Sequence, residues 1–251
     1  MHDAATSDAR WALFLDVDGT LLEVAATPES VYVSEGLKVL LNELNERLGG
    51  ALALISGRTI EDLDRLFAPL RFCASGVHGA ERREANGRIV RAALEHDNLR
   101  EAHAELSSFV QAHEGLLLED KSFALALHYR LAPHLEAAVH TMMQSTVERL
   151  GSEYVLQPGK RVFEIRPAAW SKGTAVRSFL QEAPFAGRSP VYIGDDVTDE
   201  HAFEAVNDLE GLSVRVGDQV ATRAKYRLTN VADVHKWLSE FPPPVSLVRA
   251  V

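Results

Sequence analysis

The sequence predicts an α/β protein, with a parallel sheet covered by helices on both faces and an inserted α+β domain. Short apolar segments alternate with amphipathic helical segments near both ends of the chain, which is typical of βαβ units. The segment between these two regions has the pattern of antiparallel strands flanked by helices instead. A chain of 251 residues is long enough for one large domain or two small ones, each with its own hydrophobic core.

The first half of the core is predicted from three short apolar runs, which read as strands buried on both faces. They lie at residues 11–15, 51–55 and 72–74. After the first run, Ser34 is a candidate N-cap for a helix with leucines at i, i+3, i+4 spacing, closed by Gly49 and Gly50. Thr59 and Asp62 form a capping-box-like start for a second helix.

The middle of the chain predicts a hairpin and then the insertion. Asn86 and Gly87 favour a tight turn between 80–83 and 88–90, with the charged residues 81–84 on a solvated face. The insertion is then predicted from two helices and four strand-like segments: a helix around 99–110, strands at 116–118 and 123–129, a helix after Pro133, and strands at 154–157 and 162–165. We therefore expect a core from residues 1–95 and 169–251, interrupted by residues 96–168.

The alternation resumes after the insertion. A helix begins near Lys172, a strand covers 191–193, a second helix carries Phe203 and Val206, and a strand covers 212–216. The three prolines at 242–244 predict a stiff tail. These elements return the chain to the parallel sheet.

Composition and charge exclude several classes of protein. With 26 Lys and Arg against 36 Asp and Glu, the net charge is −10, which argues against nonspecific nucleic-acid binding. The only cysteine, Cys73, cannot form an internal disulfide and indicates a reducing compartment. The apolar run at 11–15 is too short for a signal peptide or a membrane span. We therefore expect a cytoplasmic protein that does not bind membranes.

Two acidic clusters follow predicted strands, where ligands bind in open parallel sheets. Asp16 and Asp18 follow the first strand, and carboxylates in different environments can serve as a nucleophile and as an acid/base. Asp195, Asp196 and Asp199 follow a later strand and, with the first pair, offer the hard oxygen ligands that Mg²⁺ prefers. Taken alone, each cluster is also compatible with a solvated turn or a helix start.

Two further polar residues occupy equivalent places in the predicted core. Ser56 ends the second strand and can donate a hydrogen bond to an anionic oxygen. Lys172 lies at a helix start and brings a positive charge to the same edge of the sheet. The order of these residues along the chain predicts a site for an anionic substrate.

These residues resemble the ordered motifs of the haloacid-dehalogenase-like phosphatases over nearly the whole chain. The motifs are Asp16-x-Asp18-x-Thr20, Ser56, Lys172 and Gly194-Asp195-Asp196-x-x-Asp199. The resemblance implies a Rossmann-like core with an inserted cap, and an Asp16 nucleophile that forms an aspartyl-phosphate. It also implies that Asp18 is the acid/base, that Ser56 and Lys172 hold the phosphoryl oxygens, and that Mg²⁺ is the cofactor. The implied ligands are Asp16, the main-chain carbonyl of Asp18 and Asp195, with Asp199 in support.

Polar patterns in and near the insertion are similar to those of the trehalose-6-phosphate phosphatases within this superfamily. They are Ser56-Gly57-Arg58, Gly76-Val77-His78-Gly79, Glu119-x-Lys121, His128-Tyr129-Arg130 and Gly159-Lys160-x-x-x-Glu164-x-Arg166-Pro167. The resemblance implies that Glu119, Lys121, Arg130, Lys160 and Glu164 contact the sugar, and that Thr20, Arg58 and His78 lie beside the substrate. It further implies a sugar-phosphate substrate, the last step of trehalose biosynthesis, and functional coupling to trehalose-6-phosphate synthase.

Other readings stay open from the sequence. Glu119 with Lys121, or Lys160 with Glu164, is also compatible with an exposed salt pair. A phosphatase for another sugar phosphate, such as sucrose phosphate or mannosyl phosphoglycerate, keeps the core and changes the insertion. A phosphomutase keeps Asp18, and a noncatalytic sugar-phosphate-binding module keeps the fold.

Overall fold

The computed structural model describes residues 10–24, 31–91, 97–218, 221–242 and 248–249. It divides the chain into two compact units. The core unit comprises the segments before residue 91 and after residue 170, and the inserted unit comprises residues 91–170. The predicted start of the insertion, residue 96, lies outside the described residues, as do the last two prolines of the predicted tail.

The core unit is built on one large sheet. Its strands within the described ranges are β1 (Trp11–Leu15), β2 (Leu52–Ile55), β3 (Cys73–Gly76), β4 (Glu81–Arg83), β5 (Ile89–Arg91), β10 (Ser189–Gly194), β11 (Leu212–Val216), β12 (Tyr226–Leu228) and β13 (Val248–Arg249). Their spatial order is β13-β12-β11-β10-β1-β2-β3-β4-β5. Pairing is parallel from β12 to β3, and antiparallel between β12 and β13 and between β3 and β4. The predicted parallel-rich α/β core is confirmed.

Helices precede or follow the parallel strands of the core unit along the chain. They are α1 (Glu35–Arg47), α2 (Ile60–Phe67), α5 (Lys172–Phe179), α6 (Glu200–Asp208) and α7 (Val231–Ser239). The predicted N-caps are confirmed: the Ser34 side chain accepts from the amide of Leu37, and the Thr59 side chain accepts from that of Asp62. The connections run outward in opposite directions from β1 and β10, so right-handed crossovers place helices on both faces of the sheet.

The strand order reverses between β1 and β10, and such a point opens a crevice at the carboxyl ends of the strands. β1 lies between β10 and β2, and all three strands run in the same direction. The loops that follow these strands therefore emerge side by side at one edge. This is where the sequence places both acidic clusters and Ser56.

The short elements near the end of the chain were not predicted. β12 has three residues and β13 has two, too few for a clear alternation. Helix α7 has nine residues, and its apolar positions Val231, Val234, Trp237 and Leu238 are buried. These elements extend the sheet beyond β11 and cover it, without contributing to the acidic clusters.

The charged segment 81–84 corrects one prediction, because it is not a solvated face. The Glu81 carboxylate accepts from the amide of Ile60 at 2.9 Å, at the start of α2. The Arg83 guanidinium donates to both oxygens of Asp64, at 2.6 and 2.8 Å, and to the Phe72 carbonyl. Helix α2 packs against β4 and supplies these partners, which local sequence does not reveal.

The inserted unit is an antiparallel sheet with two helices on one face. Its strands are β6 (Leu117–Asp120), β7 (Leu125–His128), β8 (Tyr154–Gly159) and β9 (Val162–Pro167), in the order β6-β7-β9-β8. Helices α3 (Asp97–Gln111) and α4 (Glu136–Leu150) pack their apolar residues against one side of it. None of the described helices of either unit is long and apolar enough to cross a bilayer.

The other side of this sheet carries mostly polar side chains. Successive residues of a strand point to opposite faces, so residues alternating with the buried Leu125, Leu127 and Ile165 point away from the helices. These residues form what we call the polar face: Glu119, Lys121, Ala126, His128, Gln157, Glu164 and Arg166. Register places four of them in one row across all four strands, in the order Glu119, Ala126, Glu164, Gln157.

Candidate active site

Three buried carboxylates meet at the carboxyl ends of β1 and β10. Asp16 follows β1, Asp195 follows β10, and Asp199 lies one short turn later. One carboxylate oxygen of each lies within 4.8 Å of the others. The parallel pairing of β1 with β10 produces this convergence, as the sequence predicts for neighbouring strand ends.

Lys172 links two of these carboxylates. It is the first residue of α5, and the Ser171 side chain caps that helix by accepting from the Thr174 amide. Its Nζ lies 2.7 Å from Asp16 Oδ1 and 2.7 Å from Asp199 Oδ1. Burial disfavours the ammonium, but the two carboxylates outweigh it, and the pKa of Lys172 is raised. Lys172 is therefore a fixed cation inside the cluster.

The cluster still carries more negative than positive charge. Burial, with the charges of Asp199 and Asp195, raises the pKa of Asp16 despite the opposing effect of Lys172. Three carboxylates beside one ammonium leave a buried excess of negative charge, which is costly without a further cation. Converging carboxylate oxygens are the ligands of hard divalent cations. Asp16, Asp195 and Asp199 are therefore suited to hold a metal ion.

The loop after β1 passes very close to the loop after β10. Gly19 has φ +82°, and a Cβ at this position would overlap the Asp195 carboxylate. The next residue, Thr20, donates from Oγ1 to Asp16 Oδ2 at 3.2 Å. Glycine is required here both for its backbone conformation and for space. Thr20, predicted beside the substrate, contacts Asp16 directly.

Asp199 organises the second acidic loop. Its Oδ2 accepts from the amides of Asp195 and Asp196, at 2.9 and 2.8 Å, which fixes the turn after β10. Its Oδ1 also accepts from the hydroxyl of Tyr192 at 2.6 Å. Burial and the carboxylate of Asp199 raise the pKa of Tyr192, so this hydroxyl stays a donor. Sequence reasoning missed Tyr192, although a tyrosine within a buried apolar strand requires a polar partner.

Arg215 holds the same loop from β11. This buried guanidinium donates to the Asp195 carbonyl at 2.6 Å and to Glu200 Oε1 at 2.9 Å. Glu200 also accepts from the amide of Arg223 and the hydroxyl of Thr222. Sequence reasoning missed Arg215. A lone arginine within the apolar β11 was the available signal.

Asp18 is held by Arg58 on the other side of the β1 loop. The guanidinium donates from Nε and from Nη2 to the two Asp18 oxygens, both at 2.7 Å. Such a two-bond pair fixes the plane of the carboxylate as well as its distance. The Arg58 amide donates to Ser56 Oγ at 3.1 Å, and this hydroxyl can still donate its own proton.

His78 supports the turn that contains Ser56. Its amide donates to the Ser56 carbonyl at 3.0 Å, and its backbone is left-handed, with φ 52°. Its Nε2 lies 2.7 Å from the position that a Cβ on Gly57 would occupy, so the imidazole lies directly against this glycine. The structure thus brings His78 to the Ser56–Arg58 turn.

The polar face of the inserted unit contains a second charged cluster. Lys121 Nζ lies 3.2 Å from Glu164 Oε2 and 4.0 Å from Glu119 Oε2, and His128 Nε2 lies 2.9 Å from the latter oxygen. Burial opposes ionisation of Glu119, but His128 and Lys121 outweigh it and lower the pKa of this carboxylate. The sequence was compatible with exposed salt pairs between Glu119 and Lys121 or between Lys160 and Glu164. In the structure Lys121 and Glu164 are buried and pair with each other.

Two other predicted residues of the inserted unit meet near the β8–β9 turn. Arg130 donates from Nη2 to the Lys160 carbonyl at 3.2 Å. The Lys160 side chain is exposed, whereas Arg130 is half-buried. The predicted residues of the inserted unit therefore form two groups: Glu119, Lys121 and Glu164 on the polar face, and Arg130 with Lys160 at the turn.

Comparison with known proteins relates the chain to one family of phosphatases. The family model described as trehalose-phosphatase matches residues 14–232. A probable trehalose-phosphate phosphatase from Sinorhizobium fredii is 49% identical over 84% of this chain and 79% of the relative. The trehalose-6-phosphate phosphatase of Escherichia coli is 45% identical over 92% of this chain and 86% of the relative.

Solved structures show the same relationship. A trehalose-6-phosphate phosphatase related protein is 30% identical and superposes with a TM-score of 0.75 over 90% of this chain and 94% of that chain. A phosphatase of the haloalkanoate dehalogenase (HAD) superfamily from Bacteroides thetaiotaomicron, 20% identical, has a TM-score of 0.62 over 94% of this chain and 96% of that one, and shares the fold. The matches cover both units.

Proposed function

Because the chain belongs to the trehalose-phosphatase family of the HAD superfamily, we propose that it hydrolyses trehalose 6-phosphate to trehalose and phosphate. The observation that carries this proposal is the buried cluster of Asp16, Lys172, Asp195 and Asp199 at the carboxyl ends of β1 and β10. It combines a carboxylate nucleophile, a fixed cation and the oxygen ligands for a metal ion. Phosphoryl transfer requires a nucleophile in line with phosphorus and positive charge near the phosphoryl oxygens, and this cluster can supply both.

Asp16 is the nucleophile of the proposed reaction. One of its carboxylate oxygens attacks phosphorus, forming an aspartyl-phosphate while the bond between phosphorus and the sugar oxygen breaks. Asp18 gives a proton to the departing sugar oxygen. It then takes a proton from the water that attacks the aspartyl-phosphate, which releases phosphate and restores the Asp16 carboxylate. Arg58 orients the Asp18 carboxylate through both of its oxygens, and one of these two bonds opens when that oxygen carries the proton.

Ser56 and Lys172 bind the phosphoryl oxygens. The Ser56 hydroxyl donates a hydrogen bond, and the Lys172 ammonium offsets charge that develops during transfer. We assign Asp16, the Asp18 main-chain carbonyl and Asp195 as ligands of Mg²⁺, with Asp199 in support. The ion would neutralise the remaining negative charge and polarise the phosphoryl group.

Residues 91–170 form the substrate-selecting cap in this proposal. Glu119 and Glu164 accept hydrogen bonds from sugar hydroxyls, while Lys121, Arg130 and Lys160 donate to them. Arg58, His78 and Thr20 belong to the substrate site on the core unit. A mixed set of carboxylates and cationic donors suits a ligand with many hydroxyl groups. Membership of the family supports trehalose 6-phosphate as that ligand.

The proposed reaction follows directly after the reaction of the synthase that forms trehalose 6-phosphate. We propose functional coupling to that enzyme in the cytoplasm, where this reaction completes trehalose biosynthesis. The single thiol, Cys73, is compatible with a reducing compartment. Measuring trehalose 6-phosphate accumulation in cells that lack this chain tests the proposed position in the sequence of reactions.

We expect metal-dependent phosphate release that is fastest with trehalose 6-phosphate. The purified protein is assayed against a panel of trehalose 6-phosphate, sucrose 6-phosphate, mannosyl phosphoglycerate and glucose 6-phosphate. EDTA abolishes the activity and added Mg²⁺ restores it, because the buried carboxylates need a cation to accept a further anion. Preference for another substrate contradicts the proposed specificity, and undiminished turnover in EDTA contradicts the metal assignment.

We expect Glu164→Gln to separate sugar recognition from chemistry. The amide removes the negative charge that faces Lys121 and that accepts hydrogen bonds from the sugar hydroxyls. We therefore expect kcat/KM for trehalose 6-phosphate to fall about tenfold or more. Hydrolysis of p-nitrophenyl phosphate, which has no sugar, stays within twofold of the parent rate. Glu148→Gln on α4 is the matched control, since its carboxylate only accepts from Gln144 in the described contacts. An equal loss on both substrates removes Glu164 from the sugar site.

A further inference from the structure

The polar face continues beyond the residues assigned to the sugar. In the cross-strand row, Gln157 on β8 lies directly opposite Glu164 on β9. Directly opposite residues have Cβ atoms only about 5 Å apart, so Gln157 and Glu164 are cross-strand neighbours on the polar face. Glu119 lies two strands away from Glu164, about 10 Å, in the other direction. The row therefore has polar groups on both sides of Glu164.

Arg166 lies on the same face and has an unused donor. The side chain is buried, with 6% of its surface exposed. Its Nη1 donates to the carbonyls of Pro167 and Trp170, and its Nη2 donates to Gln157 Oε1 at 3.1 Å. Within the part of the chain that the structure describes, its Nε–H has no hydrogen-bond partner. A buried guanidinium donor without an acceptor is costly, and a bound ligand oxygen would satisfy it.

The Arg166 contact also orients Gln157. The amide oxygen of Gln157 accepts from Arg166, and its Nε2 donates to the Pro158 carbonyl at 3.2 Å. An amide nitrogen carries two hydrogens, so one N–H remains for another acceptor. Because the oxygen is committed to a cation, the amide is fixed with its nitrogen available as a donor. Gln157 and Arg166 thus offer two donors on the same face as their neighbour Glu164.

We propose that Gln157 and Arg166 form an additional hydroxyl-binding subsite, in which both side chains donate to one sugar hydroxyl beside the one bound by Glu164. The inference rests on the proposed function, since it extends the same sugar site by one strand. Two donors next to one acceptor match vicinal hydroxyls, each of which both donates and accepts. Arg166 binds the hydroxyl and also positions Gln157.

A purely structural role for Arg166 gives a different expectation. Its bonds to the Pro167 and Trp170 carbonyls fix the chain where it leaves β9, and loss of those bonds alone would lower stability. It would not change KM for the disaccharide phosphate selectively. Gln157 is half-buried, and its described hydrogen bonds do not include the carbonyls of Pro167 and Trp170. Its substitution therefore tests the subsite and leaves intact the bonds that fix the chain after β9.

The first test is Gln157→Leu, which removes the amide and keeps a side chain of similar volume. We expect KM for trehalose 6-phosphate to rise about tenfold, the effect of one lost hydrogen bond, with kcat within twofold. Turnover of p-nitrophenyl phosphate stays unchanged because that substrate has no sugar. Gln144→Leu is the matched control: Gln144 lies on α4 and donates to Glu148, away from the polar face.

The second test is Arg166→Lys, which retains a cation for the carbonyls but removes Nε–H and the planar fork. We expect the same rise in KM, with p-nitrophenyl phosphate turnover maintained. Unchanged KM in Gln157→Leu overturns the subsite, as does an effect that p-nitrophenyl phosphate shares. Failure of the proposed function is separate: the parent protein would then not prefer trehalose 6-phosphate, or Glu164→Gln would leave its KM unaltered.

Discussion

Asp16→Asn is expected to abolish phosphate release, by roughly 10⁴-fold or more, while leaving the protein folded. The amide keeps the size of the side chain but is not a nucleophile, so the aspartyl-phosphate cannot form. The Asp16 carboxylate is bonded to Lys172 and Thr20, and it lies in the buried cluster at the end of β1. No other described carboxylate shares this position between the Lys172 ammonium and the hydroxyl of Thr20.

Folding of this variant is expected because the cluster has surplus negative charge. Burial raises the pKa of Asp16, which means that its ionised form is less favourable in the folded protein than in the unfolded chain. A neutral amide avoids that cost, and Lys172 keeps Asp199 as its partner. The midpoint of urea unfolding, measured without metal at pH 7, is therefore expected to stay equal or to increase.

The matched control for this substitution is Asp208→Asn. Asp208 is an exposed carboxylate at the end of α6 that pairs with Arg177. We expect full activity and unchanged stability from it, since exposed ion pairs contribute about 0–1 kcal/mol. Phosphate release by Asp16→Asn at more than a few per cent of the parent rate contradicts its assignment as nucleophile.

Gly19→Ala is expected to reduce activity by roughly 10²-fold or more, although it adds a single methyl group. The methyl would overlap the Asp195 carboxylate, so either that side chain must turn away or one of the two acidic loops must move. Either movement separates Asp16 from Asp195. We expect weaker activation by Mg²⁺, measured as a higher metal concentration for half-maximal phosphate release.

The chain provides a close control for this effect in Gly87→Ala. Gly87 has φ +83°, nearly the same as the +82° of Gly19, and among the described residues only its own chain neighbours lie within 4 Å of a Cβ placed there. Both substitutions carry the left-handed backbone cost of about 1–2 kcal/mol, and only Gly19→Ala adds the overlap. Equal activities for the two variants contradict the requirement for close approach of the loops.

Much of this fold follows from local patterns in the sequence. The buried strands β1, β2 and β10 are short apolar runs, and the caps at Ser34 and Thr59 are recognisable because an N-cap needs only a side-chain oxygen before a periodic segment. The short β12 and β13 lack such patterns. Their position depends on the strands that they pair with, and a short stretch of sequence does not include those strands.

The cluster of buried carboxylates was predictable for a related reason. Because the carboxyl ends of parallel strands meet at one edge of a sheet, the sequence alone predicts that Asp16 and Asp195 lie close together. Tyr192 and Arg215 were not found, because each is defined by a partner on a different element. The buried charges at Glu81 and Arg83 were missed for the same reason: their partners belong to α2 and its flanking segments.

The pairing of β1 with β10 has a consequence for synthesis of the protein. Trp11 and Ser189 are register partners, so one edge of β1 stays unpaired until β10 has been made and has left the ribosome. This edge is apolar and is a template for pairing with other chains. The inserted unit, whose strands pair only among themselves, has no such dependence. Fragments that end before β10 are therefore expected to aggregate and to lack the Asp195 side of the site.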